Sequence, residues 1–273
     1  MSPRFCIDGF SLRETLDSGQ FFRFTKIDET YIVQSSNRIF SLYQKGNLLF
    51  YEGEGVDEPF LTDFFRLDED LDSILKEIDR DPVIHQAIQR YRGMRLIRQD
   101  PWECLLSFIC SSAKTIPHIR SMIECLCKSS GKKIRWGNYI GYGFPESHCI
   151  EDALQLEQVK AGFRTNYIVE VNRSVDRNQL LALKLLSYEE ARRSLMRLSG
   201  VGKKVADCVL LYSLDFLQAF PIDIWIKRGL KNVYFHGRKT GEKEMEQFVS
   251  NHFGPFAGYA QLYLYHFWRN HPF

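Results

Sequence analysis

Short apolar runs separated by turn residues dominate the beginning of the chain. The runs fall at residues 21–24, 31–34, 38–43 and 48–51, and polar or glycine-containing segments lie between them at 28–29, 35–37 and 45–47. Apolar and aromatic runs of this length, broken by such segments, are typical of strands joined by tight connections. We therefore predict an antiparallel meander near the N-terminus.

The spacing of apolar residues changes near residue 56. Beyond this point they recur at intervals of three and four almost to the C-terminus, as in Trp102, Leu105, Leu106 and Ile109, then Ile116, Ile119, Met122, Ile123 and Leu126. This is the period of helices with one apolar face. The pattern predicts an α+β protein in which residues 1–80 hold the antiparallel sheet and short helices. Residues 81–273 are predicted to form a mostly α-helical body packed against that sheet.

A glycine-rich break interrupts one helical stretch. The helical period over residues 188–198 stops at 199–202 and resumes over 203–214, which predicts a helix, a tight hairpin and a second helix at about 188–214. Gly200 and Gly202 permit left-handed backbone and close approach of another molecule, and free amides at the start of the second helix can hold a phosphate. Because residues 192–207 hold five basic side chains and one acidic side chain, the hairpin suits a DNA backbone.

Charge is distributed unevenly along the chain. The 273 residues carry a net charge of +2, but residues 1–80 hold 9 Lys and Arg against 16 Asp and Glu, whereas residues 81–273 hold 27 against 18. A basic body is compatible with a polyanion such as nucleic acid, although a solvated surface would explain the charge equally well. No window approaches the ~20 apolar residues of a membrane span, so we expect a cytoplasmic protein without membrane contact.

The cysteines give no sign of a metal centre. All seven are scattered, without the paired spacing of a zinc or iron–sulfur site, and none follows Cys208. We expect reduced thiols and no metal held by side chains. No cofactor is expected.

Beyond the hairpin, Asp223 follows Pro221 and could supply a charge partner for a lysine at the start of the second helix. Hairpin, lysine and aspartate together resemble the helix-hairpin-helix DNA glycosylases that carry a Gly/Pro-rich loop and a catalytic aspartate. Further segments are similar to the 8-oxoguanine DNA glycosylase/AP lyase family. They are SGQFFR at 18–23, FICSS at 108–112, VADC at 205–208, QAFPID at 218–223 and GYAQ at 258–261. The resemblance covers almost the whole chain.

This resemblance implies a catalytic pair. Lys204, rather than Lys203, holds the position of the family's nucleophile, and Asp223 holds that of its catalytic carboxylate. An ammonium has no lone pair, so Lys204 must lose its proton before it attacks the sugar C1′. Asp223 would stabilise the positive charge that C1′ gains as the base leaves. The imine formed on Lys204 would then permit β-elimination, which nicks the strand 3′ to the lesion.

The resemblance also implies residues that contact substrate and DNA. The target nucleotide would be extruded from the duplex into a pocket. Cys208 and Tyr265 would form its walls, beside Pro221, while Gln261 would read the Watson–Crick edge. The carbonyl of Gly19 would accept the N7 hydrogen that 8-oxoguanine has and guanine lacks. Without the family, these residues would be ordinary core, turn or helix-surface positions. The expected DNA contacts are Lys114, Phe163, Arg164, Gly200, Gly202, Lys203 and Trp225.

Several positions depart from the family pattern. Ala113-Lys114-Thr115 replaces a run of asparagines, and His118 replaces an arginine that grips the cytosine opposite the lesion. Arg164 still matches the second arginine that reads this cytosine, and Phe163 would replace a tyrosine wedge. We therefore expect a relaxed opposite-base preference. Trp225, at a usual histidine, loses a protonatable phosphate contact. Together with Tyr265, at a usual phenylalanine, it favours a bacterial branch of the family.

Two other functions stay open at this stage. One is a monofunctional alkylbase DNA glycosylase, which normally lacks a lysine at position 204, and the other is a non-catalytic helix-hairpin-helix DNA-binding protein. The expected partner is double-stranded DNA containing 8-oxoguanine, bound by a monomer associated with the nucleoid. Backbone carbonyls of the hairpin, of the Leu198 and Val201 type, could hold a structural monovalent or calcium ion.

Overall fold

A five-stranded antiparallel sheet forms the N-terminal part of the molecule. The computed structural model describes residues 3–111, 115–150 and 152–271. The sheet has the order β1-β5-β4-β3-β2, and a separate hairpin pairs β6 with β7. The strands are β1 (Arg4–Cys6), β2 (Phe24–Ile27), β3 (Thr30–Ser35), β4 (Arg38–Lys45), β5 (Leu48–Gly53), β6 (Lys133–Trp136) and β7 (Tyr139–Tyr142).

The strand prediction is accurate for β3, β4 and β5 but wrong at the first run. Residues 21–23 precede β2, and Phe21 and Phe22 pack into two different cores. Phe21 meets Phe64 edge-on at 5.7 Å between ring centroids, whereas Phe22 meets Phe108 of the helical body at 5.5 Å. Strands β1, β6 and β7 were not predicted. The hairpin formed by β6 and β7 interrupts the helical pattern that was predicted after residue 56.

The helices occupy most of the remaining described chain. They are α1 (Leu12–Asp17), α2 (Glu58–Phe64), α3 (Leu71–Ile78), α4 (Pro82–Arg90), α5 (Pro101–Ser111), α6 (Ile116–Ser130), α7 (Arg164–Ser174), α8 (Arg177–Ala182), α9 (Tyr188–Leu195), α10 (Lys203–Ser213), α11 (Ile224–Gly229), α12 (Glu242–Phe253) and α13 (Ala257–Asn270). Aspartate caps fix several starts, because the side chains of Asp57, Asp70 and Asp81 accept backbone N–H groups of the first turns of α2, α3 and α4. The α+β fold class is confirmed.

Two apolar cores stabilise this arrangement. The smaller one lies under the sheet, where Val33, Phe40 and Leu42 pack against α1 and α2. The larger one lies within the helical body and includes the apolar side chains of α5 and α10. Most residues of these two helices are buried, including the polar side chains of Glu103, Asp207 and Ser213. None of the helices in the described ranges is both long enough and apolar enough to span a membrane.

Candidate active site

Lys204 lies at the start of α10, directly after the hairpin. Its Nζ donates a hydrogen bond to Ser111 Oγ at the end of α5, at 3.0 Å. The same atom lies 4.8 Å from the centroid of the Phe108 ring. It is also close to the thiol of Cys208, which lies one turn further along α10. Burial raises the pKa of Cys208 to about 12, and the charge of Lys204 opposes that rise. These three contacts therefore hold the Lys204 amine in one position.

Asp223 lies at the N-terminus of α11, and its backbone is extended because it caps that helix. Its Oδ1 accepts the backbone N–H of Ile226 at 2.8 Å. Burial raises the pKa of Asp223, and the hydrogen bond from Ile226 and the charge of Lys204 oppose that rise. The structure thus brings the predicted catalytic pair within electrostatic reach of each other. A half-buried carboxylate held at a helix start is well suited to stabilise positive charge nearby.

The predicted pocket residues also come together. The candidate pocket consists of Gly19, Cys208, Pro221, Gln261 and Tyr265. The charge of Asp223 contributes to the raised pKa values of both Cys208 and Tyr265, so all three groups are close. Gln261 is buried, and its amide nitrogen donates to the Pro221 carbonyl at 3.2 Å while its oxygen accepts from Tyr212 at 3.3 Å.

Gln261 is therefore not the solvated helix residue that its sequence position suggests. These two hydrogen bonds fix the orientation of its amide group. An amide side chain has two donors and two acceptor positions, so one amide hydrogen and one oxygen lone pair of Gln261 remain free for a ligand. A ligand edge that presents an acceptor and a donor side by side would complement this group.

Gly19 lies in a tight turn before β2, with a left-handed φ of +93°. A Cβ at this position would lie 2.5 Å from Arg269 Nη1 and 3.3 Å from Tyr265 Cε1, so only glycine fits. Long-range hydrogen bonds fix the turn. The buried amide of Gln20 donates to the Arg95 carbonyl at 2.8 Å and accepts from the Ile97 N–H at 2.8 Å. Neither Arg269 nor Ser111 was predicted as a site residue: Arg269 belongs to no local motif, and Ser111 lies in the FICSS segment at 108–112, to which no role was assigned.

The hairpin has the predicted form, but its two glycines differ. Gly200 has a φ of +75°, and a Cβ there would come within 2.6 Å of the Tyr167 ring. Gly202 has a φ of −89° and caps α10 with extended backbone, so the expectation of left-handed backbone is wrong for Gly202. Space is open around the missing Cβ of Gly202. Gly200 is thus required for chain geometry, whereas Gly202 leaves room for close approach of another molecule.

The expected wedge and its neighbour have contrasting positions. Phe163 is 62% exposed and lies next to Tyr167, at 5.8 Å between ring centroids, which places it beside the hairpin. Arg164 is 3% exposed, with its guanidinium 4.2 Å from the Phe163 ring and a hydrogen bond to the Ala161 carbonyl. The exposed Phe163 can therefore contact a ligand without rearrangement, while the buried guanidinium of Arg164 packs against its ring.

Two of the basic residues around the hairpin, Lys203 and Arg192, are paired with acidic side chains. Lys203 pairs with Glu246 at 3.1 Å, and Glu246 also pairs with Arg192 at 2.8 Å. Arg192 in turn contacts Asp207 at 2.8 Å, where burial raises the pKa of the carboxyl to about 7. Lys203 keeps 42% of its side-chain surface exposed, so its ammonium can exchange a carboxylate for a phosphate. This network was not predicted, and it fixes α9, α10 and α12 to one another.

Trp225 and Lys114 are the two remaining predicted DNA contacts. Trp225 is half-buried on α11, and its backbone N–H lowers the pKa of Asp223, so it supports the carboxylate through its main chain. Lys114 lies outside the described residues. Within the ranges that the structure describes, no group of three or more His, Cys, Asp or Glu side chains could hold a metal ion.

The fold and this site define the class of helix-hairpin-helix DNA glycosylases. A family model for the N-terminal domain of 8-oxoguanine DNA glycosylase matches residues 5–105. The structure of MBOgg1 with a low-affinity DNA ligand has a TM-score of 0.91 and 35% identity, covering 97% of this chain and 94% of that one. The chain belongs to the 8-oxoguanine DNA glycosylase/lyase family.

Other relatives agree with this assignment. The Clostridium acetobutylicum 8-oxoguanine glycosylase/lyase, bound to duplex DNA with cytosine opposite 8-oxoguanine, has a TM-score of 0.91 and 28% identity over 100% of this chain and 99% of that one. N-glycosylase/DNA lyase OGG1 of Arabidopsis thaliana is 31% identical over 76% of this chain and 61% of its own length. The chain spans between half and two thirds of the curated N-glycosylase/DNA lyases that it matches.

Proposed function

We propose that this protein is a bifunctional DNA repair glycosylase that removes 8-oxoguanine from duplex DNA and then cleaves the strand. One observation carries the proposal: Lys204 is fixed beside Ser111 and Cys208, within electrostatic reach of Asp223, at the edge of the candidate pocket. A monofunctional alkylbase glycosylase needs no lysine there, and a DNA-binding protein without catalysis needs neither the lysine nor the half-buried carboxylate. The relatives named N-glycosylase/DNA lyase support the same conclusion.

The chemistry would begin with a neutral Lys204 amine. Its lone pair forms a bond to the sugar C1′, and the electrons of the N-glycosidic bond leave with the base, which takes up a proton. Asp223 stabilises the positive charge on the sugar during this step. Loss of the amine proton and opening of the sugar ring give an imine on Lys204. The imine makes the C2′ hydrogen acidic, and its loss expels the 3′ phosphate oxygen.

Recognition would place the extruded base between Cys208 and Tyr265. Gln261 would offer its remaining amide hydrogen and lone pair to the Watson–Crick edge. The Gly19 carbonyl would accept the N7 hydrogen of 8-oxoguanine, whereas the unprotonated N7 of guanine would face the same oxygen with a repelling lone pair. Phe163 would fill the space that the base vacates, and the amides after Gly202 and the Lys203 ammonium would hold phosphates. We propose that a monomer performs the reaction, without a cofactor.

The test is direct. Incubation of the protein with a duplex that contains one 8-oxoguanine opposite cytosine is expected to release the base and nick the strand. Borohydride added during the reaction is expected to reduce the imine and link protein to DNA covalently. Release of 3-methyladenine without a trapped complex would favour the alkylbase glycosylase instead. Binding to DNA with neither release nor trapping would contradict both enzymatic functions.

Opposite-base preference should be broad. His118 stands where the family arginine would contact the opposite base, and it is exposed and hydrogen-bonded to Thr115 at 2.7 Å, while Arg164 is buried. We expect single-turnover excision rates opposite the four bases to lie within about tenfold of one another, since one lost bidentate base contact is worth ~1–3 kcal/mol of discrimination. Measurement on four matched duplexes decides this. Absolute dependence on cytosine would overturn the expectation.

A further inference from the structure

Arg269 lies on α13 one turn after Tyr265 and reaches the turn that contains Gly19. Its Nη2 donates to the Asp17 carbonyl at 2.7 Å, and its Nη1 donates to the Ser18 carbonyl at 3.1 Å. These are the two carbonyls immediately before Gly19. Two parallel donors on one planar group define the orientation of the peptide units they hold, as well as their position.

The same guanidinium also borders the Tyr265 ring, with its Cζ 5.5 Å from the ring centroid. Nη1 occupies the space where a Cβ of Gly19 would lie, and the Tyr265 ring is next to it. Arg269 therefore contacts both the turn at Gly19 and the Tyr265 ring, which also lies against Gly19. In the proposed function these two groups read the N7 edge and one face of the same base.

Arg269 is itself held from behind. Its Nη2 lies 3.1 Å from Nδ1 of the buried His266, and His266 Nε2 lies 3.1 Å from Glu14 Oε2 on α1. A neutral imidazole that accepts at Nδ1 and donates at Nε2 satisfies both contacts, and burial lowers the pKa of His266 in agreement with a neutral ring. The chain from Glu14 through His266 to Arg269 thus ties α1 and α13 together across the turn.

The other end of the turn does not depend on Arg269. Gln20 is anchored to Arg95 and Ile97, and the Gln99 amide donates to the Gln20 carbonyl at 2.8 Å. Without the guanidinium, the turn would keep the hydrogen bonds of Gln20. The carbonyls of Asp17 and Ser18, just before Gly19, would lose the hydrogen bonds from Arg269. The expected consequence is a rotated Gly19 carbonyl within an otherwise intact fold.

We propose that Arg269 is a specificity-determining positioning residue, which holds the Gly19 carbonyl and the Tyr265 ring in the geometry that separates 8-oxoguanine from guanine. This proposal rests on the proposed function. Arg269 touches neither the base nor the sugar in it, so its effect is confined to steps that need base recognition. Cleavage of a preformed abasic site uses Lys204 but involves no base, and it therefore provides an internal reference.

The experiment compares the wild type with Arg269→Gln and Arg269→Lys. The measured quantity is the single-turnover rate of 8-oxoguanine excision divided by the rate of abasic-site cleavage. We expect this ratio to fall about 10- to 100-fold in Arg269→Gln, because a misplacement of about 1 Å can cost about 100-fold in rate. Arg269→Lys keeps the charge but lacks the planar pair of donors, so it is expected to restore little of the ratio. The control is Arg4→Gln, at an exposed arginine on β1, the edge strand opposite β2.

The possible outcomes are distinct. An equal loss of both rates in Arg269→Gln, or a full recovery of the ratio in Arg269→Lys, would show a role in stability or charge alone and overturn the proposal. So would an unchanged ratio. If Arg269→Gln fails to fold, as judged by thermal melting, the Lys variant decides. A wild-type protein that cleaves abasic sites but releases no 8-oxoguanine would refute the proposed function, whatever the Arg269 variants do.

Discussion

Replacement of Lys204 by glutamine is expected to lower both base release and strand cleavage by at least about 1,000-fold, as is usual when the nucleophile of a covalent mechanism is removed. The side chain of Lys204 has little freedom, because Ser111, Phe108 and Cys208 surround its Nζ. Glutamine can still contact Ser111 but offers no nucleophilic nitrogen. The measurement is single-turnover cleavage of an 8-oxoguanine duplex, with borohydride trapping as a second readout.

The neighbouring lysine provides the matched control. Lys203→Gln removes the same charge from the same turn of α10, but its ammonium pairs with Glu246 rather than with groups of the candidate pocket. This variant should bind DNA more weakly and should retain covalent trapping at saturating protein. Equal loss of trapping in both variants would mean that hairpin charge, and not a nucleophile at position 204, produces the effect.

The sequence predicts the sheet and helices where the signal is local. The runs at β3, β4 and β5 alternate with turns in the chain as they do in the fold. Phe21 and Phe22 also look like a strand, because two aromatics in sequence favour one, yet they are held apart in two cores by a turn whose hydrogen bonds come from residues 75–79 positions away. No local pattern contains that information.

The β6–β7 hairpin is a different case. Gly137-Asn138 is a two-residue turn signal of the kind that joins strands, and Trp136 and Tyr139 on either side stack at 5.6 Å. Its strands have only four residues each, so the apolar spacing of the flanking helices masks them. A search for such turns inside apparently helical segments would have found it.

The site shows the same division between local and distant signals. Lys204 and Asp223 follow from a short motif and its resemblance to a family, and the structure brings them close together. The side chains that hold them could not be predicted. Which face of α5 meets α10 decides that Ser111 contacts Lys204, and the packing of α13 against the Gly19 turn decides the role of Arg269. Both depend on tertiary structure.

Replacement of Asp223 by asparagine isolates the charge of this residue from its structural role. Asparagine caps helices as well as aspartate does, so the bond to the Ile226 N–H and the start of α11 should survive. The variant loses the negative charge that would stabilise the positive charge developing on the sugar. We expect base release to slow by about 100- to 1,000-fold, the effect of removing one electrostatic group from a preorganised site. Asp70→Asn, at the exposed cap of α3, is the matched control.

The pH dependence of base release provides a second measure of the same group. Burial raises the pKa of Asp223, so the active carboxylate is lost as the pH falls through a pKa higher than that of an exposed aspartate. The excision rate of the wild type should therefore decline on the acid side at a higher pH than an exposed aspartate would give. In Asp223→Asn this acid limb should disappear, because the amide does not titrate. Persistence of the same limb in the variant would assign it to another group and remove Asp223 from the charge-stabilising role.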